Sequence, residues 1–98
     1  MKIIFSVKKK IWIEYNNQPI LGVGRYNLLK NIKKTSSVKK SATLLNISEK
    51  TAHNYINRME KRLSQKIVLT SKGGKDAGAK TLLTPLGKQL IKLFEDAS

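Results

Sequence analysis

The chain has 98 residues, 40% apolar and 27% charged, with 20 Lys and Arg against 6 Asp and Glu, a formal net charge of +14. That is the length of one folded domain (1–98) with one modest core, and the composition argues against a disordered chain. With no cysteine, disulfides, thiolate metal sites and cysteine nucleophiles are excluded, and the charge points to a polyanionic partner, nucleic acid before an anionic membrane surface.

The opening "MKIIFSVKKK" has an apolar run that stops at Val7, too short for a secretory signal, with no small-residue cleavage site after it. No stretch has the length of a membrane span, so the simplest placement is cytoplasmic and no membrane partner is expected. From Phe5 to Tyr15 the sequence alternates: Phe5, Val7, Ile11, Ile13 and Tyr15 share one parity, with Lys9 interrupting. This predicts a half-buried strand. Trp12 falls on the polar side, which suits a cover for one edge of the core better than a base-stacking platform. "NNQP" reads as a turn and "ILG" as a short return strand.

Leu28, Leu29 and Ile32 then recur at helical spacing, predicting a first helix from about Arg25 to Lys34. "TSS" supplies N-cap residues, and Val38, Ala42 and Leu45 form the stripe of a short second helix. Asn46, tolerant of the left-handed conformation, ends it. Ser48 caps a third helix with Glu49 in its first turn, where the helix dipole favours a carboxylate. Ala52, Tyr55, Ile56, Met59 and Leu63 make one apolar stripe along it. The opposite face carries Lys50, Asn54, Asn57 and Lys61, flanked by Thr51 and Arg58, while Glu49 and Glu60 lie to one side. Two short helices joined by "NIS", with the small Ala42 at their close approach, match the helix-turn-helix pattern.

"KIVLTSK" and "AKTLLT" are strand-like, and the glycine-rich "SKGGKDAGAKTLLT" joins them as a hairpin. That loop imitates the P-loop G-x-x-x-x-G-K-[ST]. Starting from Gly73, however, Lys80 and Thr81 come one place late; starting from Gly74, Ala79 stands where the second glycine belongs. No helix opens directly after Lys80 to meet a phosphate. A nucleotide-hydrolysing enzyme is therefore not expected. As a hairpin tip, the glycines let the backbone approach a phosphate and the lysines supply point charges. Thr84-Pro85 starts a closing helix with an N-cap and a proline at its first position, and Leu86, Leu90, Ile91 and Phe94 give its apolar face. The expected fold is thus α+β: a three-helix core with a β-hairpin wing, an N-terminal strand pair and a C-terminal helix.

Taken in order, "GRYNLLKNI", "SSVKKSATLLNISEKTAHNYINRMEKRL" and "GGKDAGAKTLLTPLGKQLIKLF" resemble the N-terminal DNA-binding domain of the molybdate-responsive ModE regulators, a winged helix-turn-helix related to that of LysR-type regulators. The resemblance runs over nearly the whole chain. It rests on "S-x-K-T-A" at Ser48 to Ala52 together with the "GGK" loop and "LTPLG". It implies a recognition helix at 48–62, a wing at 71–80, and a homodimer on a palindromic operator. Three departures stand out. His53 replaces a usual aromatic, Asp76 and Ala77 replace loop glycines, and the sequence ends at Ser98 without the ligand-binding domain of full-length members. Molybdate sensing is therefore not implied.

The expected function is sequence-specific binding of double-stranded DNA in transcription regulation. Asn54 and Asn57 suit bidentate contact with adenine, and Lys50 and Arg58 suit guanine or phosphate, with Thr51 beside them as a further base-reading candidate. Phosphate candidates are Lys39 and Lys40 on the second helix, Lys61 and Arg62 on the third, and Lys72, Gly73, Gly74, Lys75 and Lys80 in the wing. Ser37, Ser48 and His53 complete that set. No catalytic residue, metal site, cofactor or small-molecule ligand is expected. His53, the only histidine, has no serine–aspartate partners in a recognisable arrangement. Two alternatives stand beside this reading: a basic RNA- or nucleoid-associated protein, and a winged-helix adaptor that binds protein.

Overall fold

Asn16 and Asn17 hold positive φ values of 50° and 62°, the backbone that a tight two-residue hairpin turn demands and that asparagine tolerates. In the computed structural model, which describes residues 3–7, 9–71 and 80–98, this turn joins β1 (Ile13–Tyr15) to β2 (Gln18–Leu21) as an antiparallel pair. The strand expected from Phe5 is therefore only its last three residues. A strand needs a ladder partner, and the return segment offers four residues with a register irregularity between Ile13 and Glu14. Upstream of it, Ile3, Ile4, Phe5 and Val7 are 72–91% exposed. The predicted parity persists only where packing exists: Ile11 and Ile13 lie against the core, while Tyr15 is exposed. Trp12 covers little. It is half exposed and donates its indole N–H to Glu14 Oε1 at 2.8 Å.

Helix α1 (Val23–Thr35) starts two residues before the expected point, with Gly22 in the N-cap position. Its end follows from Ser36 entering the left-handed region and returning its N–H to Ile32 O, with Lys33 and Lys34 on the negative end of the dipole. Helix α2 (Val38–Leu44) begins at Ser37, whose hydroxyl accepts from Lys40 N–H. Asn46 takes φ 58°, as its placement predicts, and Ile47 N–H reaches Ala42 O at 3.0 Å. Helix α3 (Glu49–Leu63) follows immediately, capped by Ser48. Then β3 (Val68–Ser71) and β4 (Lys80–Leu83) form a second antiparallel pair. Helix α4 (Pro85–Ala97) closes the chain from its Thr84 cap.

The described residues thus make an α+β domain of four helices and two two-stranded antiparallel sheets. One core joins them: Ile20 and Leu21 from β2, Leu28, Leu29 and Ile32 from α1, Ala52, Ile56 and Met59 from α3, and Leu90, Ile91 and Phe94 from α4. Ile67 and Leu83 plug it from the second hairpin. That hairpin is also tied to the α1–α2 turn, because Thr81 N–H donates to Ser36 O at 2.9 Å. Among the described residues, no helix is long and apolar enough to cross a membrane.

Candidate nucleic-acid interface

Helix α3 turns its apolar stripe inward, burying Ala52, Ile56 and Met59, with Tyr55 and Leu63 packed against the same core. Helical geometry then fixes what faces out. Lys50, Asn54, Asn57, Arg58 and Lys61 are all exposed. Among the described residues none of these five side chains makes a hydrogen bond or ion pair, whereas two asparagine amides and three cations hold many donors. A surface helix usually laces such groups with i,i+4 carboxylates; this one does not.

The carboxylates of the helix are used elsewhere. Glu60 is largely buried and accepts from the Ile67 and Val68 amides at 2.8 and 3.3 Å, with Lys66 Nζ at 3.5 Å. It therefore clamps the start of β3, a role the sequence pattern did not suggest. Glu49 lies 3.6 Å from His53 Nε2, both exposed at the helix start. The outward face of α3 is left with positive charge and amides.

Other expected contacts are distributed unevenly. Lys39 and Lys40 are exposed on α2. Ser37 and Ser48 serve as N-caps: the Ser48 hydroxyl accepts from Thr51 N–H at 3.0 Å and donates to Thr51 Oγ1 at 2.8 Å, leaving the Thr51 hydroxyl hydrogen uncommitted. Arg62 is less available than expected, because its guanidinium donates to Pro19 O on β2. Lys80 is exposed at the start of β4, opposite Ser71. Lys72, Gly73, Gly74 and Lys75 lie outside the described residues, so the loop between β3 and β4 adds no geometry here. The hairpin base nevertheless borders α3 across a cleft of about 300 Å³, lined on one side by His53 and Asn57 and on the other by Leu69 and Thr70.

Arg25 was not among the expected site residues. It reaches from α1 to lie 5.1 Å from the Tyr55 ring centroid, and its guanidinium donates to Ile20 O at 3.4 Å. Burial, and then the neighbouring Arg62 and Arg58, lower its pKa from the usual arginine value. No signal in the local sequence pattern marks this, since Arg25 lies on a different helix from Arg58 and Arg62. Among the described residues, no group of three His, Asp or Glu could hold a metal ion.

No protein-family model matches the chain, and no curated protein matches it. The class of molecule is therefore defined by geometry: a small α+β domain that presents one basic, amide-bearing helix face.

Proposed function

We propose that this chain is a winged helix-turn-helix protein that binds double-stranded DNA sequence-specifically and acts as a transcriptional regulator. The observation that carries the reading is the outward face of α3. Lys50, Asn54, Asn57, Arg58 and Lys61 stand exposed with no partner among the described residues, while Glu60 is withdrawn into the clamp on β3. A helix of this kind fits the major groove, where asparagine can bind adenine bidentately and arginine or lysine can bind guanine. Helices α2 and α3 meet through a tight turn at Asn46, and the Thr81–Ser36 hydrogen bond ties the second hairpin to the turn between α1 and α2, which supports reading that hairpin as the wing. Lys39, Lys40 and Lys80 supply backbone contacts on either side, and Lys72, Lys75, Gly73 and Gly74 extend that role into the loop. A second copy of the chain completes the regulator, so that two recognition helices meet half-sites one helical turn apart.

The test is selection of bound fragments from random duplex DNA, followed by two substitutions. Asn54→Ala relaxes preference at one or two base pairs, by about 1–3 kcal/mol each. Lys39→Gln weakens every duplex by the same factor. If both substitutions lower affinity uniformly, α3 does not read bases. Equal affinity for duplex DNA and structured RNA of the same length would transfer the reading to a general polyanion binder.

A further inference from the structure

The C-terminal half of α3 meets the β1–β2 hairpin at a seam that gathers cations and, among the described residues, no acid. Gln18, Arg58, Lys61 and Arg62 line an open concavity of about 440 Å³ there. Arg25 stands close behind, near enough to Arg58 and Arg62 to feel their charge. The three ion pairs among the described residues are Lys30–Glu95, His53–Glu49 and Lys66–Glu60, and none reaches this cluster. Like charges held together in the absence of a counter-charge repel, so the arrangement favours an anion. Two of the guanidiniums are also held in place before any ligand arrives. Arg62 is anchored by the Pro19 carbonyl, and Arg25 by Ile20 O and the Tyr55 ring. Each anchor uses a fraction of the five N–H donors of an arginine, whose fork matches phosphate oxygens.

We propose that Gln18, Arg58, Lys61 and Arg62, backed by Arg25, form a phosphate-binding site at the seam between the β1–β2 hairpin and α3. Gln18 contributes a neutral amide donor at the rim, and Lys61 a mobile point charge. Arg58 and Arg62 grip the oxygens. The occupant is a backbone phosphodiester of the duplex beside the bases that α3 reads, and in that respect alone the inference rests on the DNA reading. The hairpin at the start of the chain thereby becomes part of the interface, a role its own sequence does not suggest.

Two measurements on the full chain separate the site from its occupant. In the first, inorganic pyrophosphate is titrated into labelled protein while the arginine Nε–H and glutamine side-chain resonances are followed. Saturable shifts of Arg58, Arg62 and Gln18 are expected, with the dissociation constant raised at least about fivefold in Lys61→Gln/Gln18→Ala. Both substituted side chains are exposed and, among the described residues, make no hydrogen bond, so the fold is retained. No shift, or equal non-saturating shifts of arginines over the whole surface, overturns the site. In the second, the salt dependence of duplex binding is compared between wild type and the same double variant, with Lys92→Gln on α4 as control. The slope is expected to fall by about 0.9 for one lost phosphate contact in the double variant and not in the control. Pyrophosphate binding with an unchanged slope, or with no duplex binding at all, keeps the site and reassigns its occupant to a free phosphate compound. Duplex binding with neither effect removes the site and leaves the DNA reading standing.

Discussion

Gly87 shows how a single atom can matter in a chain this small. A Cβ there would lie 2.5 Å from Ile67 O and 3.3 Å from a Leu83 methyl, because α4 crosses directly over the start of the second hairpin. The backbone oxygen cannot step aside as a flexible side chain would. Gly87→Ala is expected to cost about 1–3 kcal/mol through overpacking, read as a lower urea midpoint at unchanged m-value. Glu95 supports a prediction of a different kind. The Tyr26 hydroxyl and then Lys30 hydrogen-bond its carboxylate, at 2.5 and 3.0 Å, and hold its pKa below the usual 4.5. A depressed carboxylate binds its proton later in the folded state than in the unfolded one. Its contribution is therefore present above about pH 4.5 and is lost as pH falls through the folded value. Glu95→Gln should lower stability at neutral pH, and the gap to wild type should close as the solution is acidified below that range. A pH-independent gap would mean that the carboxylate's charge is irrelevant.

Among the elements, α3 has two jobs that pull on one surface. Its inward face joins the core, and in the proposed reading its outward face must stay basic and unpaired. The two are compatible because Glu60 sits at the boundary and turns toward β3. Removing it leaves the Ile67 and Val68 amides without their acceptor. Glu60→Ala is expected to cost about 1–3 kcal/mol, the penalty of an unsatisfied buried donor, and to speed hydrogen exchange at those two amides ahead of the rest of β3. Unchanged exchange there would show that the clamp is dispensable. The caps work independently of this. Ser37, Ser48 and Thr84 each accept an amide of the next turn, and the helix starts they fix set the angle between α2 and α3 on which a groove-binding geometry depends.

At the scale of the whole molecule, a net charge of +14 on 98 residues makes salt the main experimental variable. In the proposed reading six to ten phosphates are engaged, so log affinity should fall with log salt at a slope of about −5 to −9. A salt-insensitive affinity would end that reading. Apolar surface is the other global feature. Trp12, Val23 and Leu93 are about half exposed or more, and Trp12 and Val23 help to line a concavity of about 650 Å³ with Ile11, Pro19 and Phe94. The apolar residues Ile3, Ile4, Phe5 and Val7 extend from the same end of the sequence. A second copy covering this surface fits the proposed dimer, and sedimentation should reveal a dimer whose dissociation is promoted by Phe5→Asp. A monomer at every accessible concentration would remove it.

The sequence by itself determined the four helices, where the last three of them begin, and the excess of cations. Capping hydroxyls, a proline at a first helical position and a 3.6-residue period all act within a few residues, so no distant partner is needed to read them. It also indicated which side of α3 would face out, since burying one stripe leaves the other no choice. Only the tertiary structure decided how long the first strand could be, because a ladder ends where its partner ends. The fate of individual charges was decided there too. Arg62 meets Pro19 across 43 residues, Tyr26 meets Glu95 across 69, and Arg25 approaches Arg58 and Arg62 from another helix. Such encounters depend on how elements pack in space, and no period or spacing along the chain encodes them.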